Sequence, residues 1–249
     1  MRKGDSTKVV FFDMGGTLEH LNYDDKMRLA ATDRLLRLLK QYGLNPDLST
    51  EEFYQLLLSA LSNYKSWAIK NKVEIKAADF WNKYVFANMH VSSQRIVRIA
   101  ELLTFFVETN FYQRQMRKEV PRLLKKIKKM GVKIGCISNT LSTMQVSYCM
   151  QQYGIIDYFE IIVLSCIYGR RKPDPRIFQY AAKSVKANPR QCVYVGDTIS
   201  RDIIGAKNAG YKLSFLIPSF LTKRVDLVNE KIQPDVTIYN LEELLEMIN

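Results

Sequence analysis

The sequence predicts an α/β protein built on a parallel sheet, with a block of helices inserted after the first strand. Residues Val9 to Phe12 form an apolar run without polar alternation, as in a strand covered on both faces, and the run ends in Asp13 before Gly15 and Gly16. From 20 to about 115 the pattern is helical throughout, and from Pro121 short apolar runs alternate with helical stretches in the manner of sequential βα units.

Each element has its own local cause. Met27, Leu29, Ala30, Leu35, Leu36, Leu38 and Leu39 lie on one face of a first inserted helix, which Gly43 and Pro46 end. Ser49 followed by Glu52 is a capping-box spacing, and the apolar face behind it runs through Phe53, Leu56, Leu57, Ala60, Leu61, Tyr64 and Trp67. Two more helical segments span Ala77 to Met89 and Ser93 to Glu108, enough for a small bundle. Beyond Pro121 the expected strands are Val132 to Ile137, Ile161 to Leu164, Val193 to Val195 and Leu213 to Ile217. Helices lie between them, at Ile177 to Val185 and at Ile203 to Ala209, and a closing one covers Leu241 to Met247. The expected division is a core of residues 1–19 and 116–249 and a helical insert of residues 20–115.

Composition narrows the function classes. A chain of 249 residues, 47% hydrophobic and 25% charged, is ordinary for a globular protein and argues against disorder or a fibrous class. Its apolar runs are too short for a secretory leader or a membrane span, so a cytoplasmic protein without a membrane partner is expected. Cys136, Cys149, Cys166 and Cys192 lack a metal-ligand spacing and read as reduced thiols, and with two histidines there is little material for a histidine metal site. The net charge of +12 is concentrated in part between Arg114 and Lys133, around an apolar stripe of Leu123, Leu124, Ile127 and Met130. That is a solvated basic helix face, helpful toward phosphorylated substrates, with no nucleic-acid module beside it.

The chemistry lies at strand ends. Asp13, Ser138, Lys172 and the pair Asp197 and Asp202 each follow an expected strand, which puts them on one rim of a parallel sheet, where such sheets bind ligands. A carboxylate nucleophile, a hydroxyl for a phosphoryl oxygen, a lysine to balance charge and two acids for a divalent cation make a phosphoryl-transfer site. Oxygen-only ligation points to magnesium.

The stretches FFDMGGTL, CISNT, GRRKPDP and VYVGDTISRDIIGAKNAG, in that order, resemble the haloacid dehalogenase superfamily. The resemblance implies a Rossmann-like core with an α-helical cap over residues 20–115 and a hydrolase acting on a small phosphorylated metabolite through an aspartyl-phosphate. It makes Asp13 the nucleophile, Ser138 the phosphoryl-binding hydroxyl and Lys172 the positive brace. It gives Asp13, the Gly15 carbonyl, Asp197 and Asp202 to magnesium, Asp202 directly or through water; Gly16, which lets the backbone approach a ligand closely, Thr17, whose hydroxyl suits a bound anion, and Asn139 are the expected substrate-binding residues.

One position departs from that family. Its phosphatases carry a second aspartate two places after the nucleophile, where this chain has Gly15. That acid protonates the leaving alcohol and then activates water, and its loss is worth roughly 10² to 10⁴ in rate. His20, Glu19 or a cap residue is expected to substitute, or the chemistry differs. Dehalogenases release halide, and phosphonoacetaldehyde hydrolases use a cap lysine, for which Lys65, Lys70 and Lys72 are available. A weakened fold that binds a phosphorylated ligand or a protein is the non-enzymatic alternative. Selectivity is expected from the loop Gly43 to Leu48, with Asn45 and Asp47.

Overall fold

The structure is a computed structural model that describes residues 6–220, 222 and 232–248. Among them a six-stranded parallel sheet runs in the order β5-β4-β1-β6-β7-β8, with β1 at Val9–Phe12, β4 at Lys133–Ser138, β5 at Ile161–Leu164, β6 at Cys192–Gly196, β7 at Leu213–Leu216 and β8 at Val236–Thr237. Strand β1 lies between β4 and β6 because the chain builds one side of the sheet and then crosses to the other. Its carboxyl end therefore opens on the crevice where the strand order reverses.

The unbroken apolar run of β1 has a direct reason. Val10 and Phe12 pack with Leu123, Leu124, Ile127 and Met150 on one face of the sheet, and Val9 and Phe11 pack with Ile177, Phe178, Ala181 and Tyr211 on the other. Burial on both faces leaves no place for alternation. The covering helices include α5, Val120–Lys129, whose Pro121 stands in the first turn, and α8, Pro175–Ser184, capped by Asp174 on the Arg176 amide.

The insert packs around its own apolar centre through α1, Asp25–Gln41, α2, Thr50–Asn71, α3, Ala77–Phe80, and α4, Ser93–Asn110. Ser49 and Glu52 form both bonds of the capping box at the start of α2. The third helix stops short of Met89. Its α turn gives way to a π turn over Trp81–Val85, which seats the fully buried Trp81 with its indole N–H on Thr104 Oγ1 at 2.9 Å.

Three further expectations change. Residues 20–115 are not helical throughout: β2, Glu19–Asn22, pairs antiparallel with β3, Gln113–Met116, so a two-stranded ribbon lies across both expected boundaries, at 19/20 and 115/116. Four-residue strands rich in Gln, Arg and Asn carry no apolar signal. The closing helix is a 3₁₀ segment, Leu241–Glu246, and the helix expected from Ile203 is preceded by a π turn over Ile199–Ile203, with α9 at Ile204–Asn208.

Candidate active site

Asp13 leaves β1 with its backbone tied across the sheet, its N–H donating to the Val195 carbonyl at 2.9 Å. Its Oδ1 accepts from the Met14 amide at 2.8 Å and lies 2.9 Å from Lys172 Nζ. The Lys172 ammonium is almost fully buried and donates to Asp202 Oδ1 at 2.6 Å and to Tyr194 Oη at 2.9 Å. Burial opposes its charge, yet the two carboxylates beside it hold its pKa above the usual lysine value. The same contacts act in reverse on Asp202, where Lys172 and Arg201 outweigh desolvation and keep the carboxyl below its usual range. Burial raises Asp13, with Lys172 pulling the other way.

Asp13, Asp197 and Asp202 bring one carboxylate oxygen each within 4.8 Å of one another. Desolvation, then the charge of Asp202, pushes Asp197 up to about 7. One of its oxygens accepts from Ser219 Oγ at 2.5 Å, and the other, Oδ1, is buried with no partner. An orphaned carboxylate oxygen beside two further acids fits a divalent cation, and the all-oxygen donor set suits magnesium. Asp202 fits it least directly, since its Oδ2 already accepts from Thr198 N and Oγ1, at 3.1 and 2.6 Å.

The glycine turn divides into two roles. Gly16 has φ +87°, and a Cβ there would stand 2.1 Å from Asp197 Oδ2, so glycine lets the turn pass against the acid cluster. Gly15 has no such backbone demand. A Cβ at that position would meet Leu21 Cδ1 at 2.8 Å, with Glu19 Oε1 at 3.9 Å. The methyl of Leu21 thus fills the space a side chain at 15 would enter, and it comes from the ribbon that leads into the cap.

Neither neighbour proposed for the missing acid replaces it. Glu19 is fully buried, with one carboxylate oxygen ion-paired to Arg114 and the other accepting from Tyr153 Oη at 2.8 Å, so both oxygens are already engaged. His20 alternates to the exposed face of β2, away from Glu19 and Leu21. Arg114 and Arg117 also leave the solvated basic face expected for this segment. Arg117 is buried and donates to the Gly16 carbonyl at 2.9 Å, so two charges that look like surface in the sequence hold the ribbon and the turn.

The remaining sequence candidates have definite places. Ser138 ends β4 beside Asp13, buried, and its hydroxyl carries no hydrogen bond among the described residues. Thr17 Oγ1 is fully buried and unpartnered. Asn139 fixes the lysine's backbone: its Oδ1 accepts from Lys172 N at 2.9 Å and its Nδ2 donates to Lys172 O at 3.1 Å. Tyr194, Thr198 and Ser219 also belong to the site. Tyr194 looks like one more apolar strand residue, and its phenol between two site residues is the signal that alternation within β6 would have had to reveal.

The cap reaches this rim through acids. Glu108 accepts from the Leu141 amide at 2.9 Å and from Thr140 Oγ1, and Glu101 accepts from Ser142 Oγ and Thr143 N at 2.6 and 2.9 Å. Glu74 accepts from Ser165 Oγ at 2.7 Å. Glu108 and Glu101 clamp the loop that follows Ser138 directly, and Glu74 reaches it through Ser165, whose Oγ accepts from the Thr140 amide at 2.9 Å. The loop Gly43 to Leu48 lies elsewhere. Its Gly43 carbonyl accepts from Arg95, on the first turn of α4, while Glu108 stands at the other end of that helix, about 20 Å away at 1.5 Å per residue. The expected selectivity loop is therefore far from the rim, and what faces the rim is a cavity of about 90 Å³ between cap and core that includes Lys65, Tyr112 and Arg171 in its lining.

A doubly covered parallel sheet with a carboxylate, a buried lysine and an acid cluster gathered where the strand order reverses has its polar site where α/β enzymes bind their ligands. Residues 7–210 match the haloacid dehalogenase-like hydrolase family, and the chain belongs to it. It is 27% identical over 241 residues to a glyceraldehyde 3-phosphate phosphatase of Methanopyrus kandleri, covering 97% of both chains. It is 25% identical over 243 residues to a phosphoglycolate phosphatase of Aquifex aeolicus, again covering 97% of each. Its fold is shared with a 2-haloacid dehalogenase structure from Pseudomonas syringae pv. tomato, at TM-score 0.64 and 22% identity over 96% of this chain and 97% of the other. Among the described residues no helix is long and apolar enough to cross a membrane.

Proposed function

We propose that the chain is a magnesium-dependent phosphatase of small phosphorylated metabolites that works through an aspartyl-phosphate on Asp13. The observation that carries this reading is the meeting of Asp13, Lys172, Asp197 and Asp202, with Asp197 Oδ1 buried and unpartnered. Relatives named as phosphatases along the whole chain support the substrate class.

Asp13 Oδ2 has no hydrogen bond among the described residues and is the oxygen that attacks phosphorus, while Oδ1 is held by Met14 N and Lys172. The bond from phosphorus to the leaving oxygen breaks, and that oxygen keeps the electron pair. Ser138 donates to a phosphoryl oxygen, and the Lys172 ammonium balances the charge that gathers beside Asp13. Magnesium, when bound by Asp13, Asp197, the Gly15 carbonyl and Asp202, directly or through water, supplies further charge neutralisation. Water then cleaves the acyl phosphate and frees Asp13.

The leaving oxygen has no acid at position 15 and meets the Leu21 methyl instead, so leaving groups that are stable as anions are favoured over alkoxides. The test is phosphate release from a panel of phosphorylated metabolites and p-nitrophenyl phosphate, with magnesium and with chelator, for the wild type and Asp13→Asn. Release that needs both magnesium and Asp13 is expected, and equal release by the variant refutes the proposal.

A further inference from the structure

The cavity between cap and core contains polar groups that the protein itself does not use. Arg171 is 7% exposed, with its Nη1 3.4 Å from Tyr64 Oη and 3.5 Å from Glu74, yet its Nε is buried without a partner. Lys65, on α2, and the Tyr112 hydroxyl, where the ribbon begins, carry no hydrogen bond or ion pair among the described residues. The ammonium of Lys65 is close enough to draw the Tyr112 phenol below its usual pKa.

The acids in the same wall are spent or muted. Both oxygens of Glu108 accept from Thr140 and Leu141, and burial lifts its carboxyl above the usual range. Glu74 has one oxygen on Ser165 and one unpartnered, and burial, against the pull of Arg171, pushes it to about 7. The cavity is therefore lined by two cationic side chains, Lys65 and Arg171, and a phenol, set among the apolar walls of Leu61, Phe80 and Leu141. Asn139 and Arg171, which border it, are the immediate neighbours of Ser138 and Lys172. At about 90 Å³ it is smaller than the roughly 150 Å³ that accepts a benzene ring, so it takes a short linear group and no ring.

We infer that this cavity is a second anion subsite, in which Lys65 and Arg171, with Tyr112, hold a carboxylate at the far end of a short phosphorylated acid. The inference rests on the phosphatase reading and deepens it, since it selects phosphorylated carboxylic acids over neutral sugar or aldehyde phosphates.

The test uses inhibitors that carry no leaving group, so the chemistry at Gly15 does not enter. Inhibition of p-nitrophenyl phosphate hydrolysis by 3-phosphonopropionate is compared with inhibition by propylphosphonate, which has a methyl where the first has a carboxylate, at saturating magnesium. The wild type should bind the carboxylate compound about tenfold or more tightly, the scale of one charged hydrogen bond. Lys65→Met should bring the ratio close to one, and Lys65→Arg should keep most of it; Lys65 is exposed, so neither change strains the fold. Equal inhibition by the two compounds in the wild type, or a ratio that Lys65→Met leaves untouched, overturns the subsite while the phosphatase reading stands. If the wild type hydrolyses p-nitrophenyl phosphate no better than Asp13→Asn, the phosphatase reading falls and takes the subsite with it.

Discussion

The rim of the core and the cap above it encode function in opposite ways. On the rim one or two residues after a strand end carry the polar groups, and the main chain of key members is anchored: Asp13 on the Val195 carbonyl, and Lys172, at both its N–H and its carbonyl, on the Asn139 side chain. In the cap the groups that face the rim, Lys65, Glu74, Glu108 and Tyr112, are scattered over two helices and two connecting segments whose sequence is dominated by packing. Chemistry that must converge on one phosphorus atom needs fixed positions at strand ends. Selection of the leaving group needs a shaped wall, and many sequences can build one.

The comparison breaks most sharply on the rim. Lys172 is buried between Asp13 and Asp202, so Lys172→Met leaves two unbalanced carboxylates in a dry site. A loss of about 3–5 kcal/mol in folding stability is expected, together with loss of turnover, and denaturant unfolding with and without magnesium measures it. A variant as stable as the wild type in the absence of metal would mean the lysine is not the charge balance of the site.

At the seam between the two regions the expected effect is a gain. Gly15→Asp alone drives its Cβ to 2.8 Å from Leu21 Cδ1, so the informative variant is Gly15→Asp with Leu21→Ala. Rates on alkyl phosphates should rise by roughly 10² relative to rates on p-nitrophenyl phosphate, at the low end of what a placed acid contributes. Equal gains on both ester types, or none in a folded double variant, would show that the methyl at this position does not limit leaving-group departure.

Within the cap a smaller, pH-dependent effect isolates Glu74. Its carboxyl is raised, so the folded protein binds that proton more tightly than the unfolded chain does. The group's contribution to stability therefore declines as pH rises from the ordinary glutamate value of 4.5 toward about 7, by up to roughly 3 kcal/mol. Melting of Glu74→Gln against the wild type should thus show the variant gaining ground between pH 5 and pH 8. The groups that face Glu74 are Arg171, Ser165 and Glu108, and Gln keeps an acceptor for Ser165. A difference in melting that is flat with pH would contradict the assignment. Least affected should be variants at Asn45 and Asp47, whose loop stands at the far end of α4, and unchanged relative rates across a substrate panel are the expected outcome.

Much of the core was legible because its signals are local. An apolar run covered on two faces, a carboxylate at its end, and repeated βα spacing placed the sheet and its rim residues without any knowledge of tertiary contacts. What escaped depends on contacts that no window contains. The ribbon is made of polar four-residue strands, and Gln113 to Met116 becomes a strand only because Glu19 to Asn22 lies beside it. Arg114 and Arg117 read as a solvated face until the structure gives them Glu19 and the Gly16 carbonyl. Leu21 escaped for the same reason: nothing in the sequence says that its side chain folds back over Gly15.

The central claim, that Asp13 carries the phosphoryl group, has a direct measurement. The wild-type protein is mixed with p-nitrophenyl phosphate and magnesium, quenched in acid within the first turnover, digested and analysed by mass spectrometry. With no carboxylate at position 15 to activate water, the acyl phosphate should persist long enough to appear on the peptide that contains Asp13, in step with a burst of nitrophenolate, and be absent from Asp13→Asn. A phosphoryl group on any other residue, or multiple turnovers of nitrophenolate with Asp13→Asn, would contradict the account.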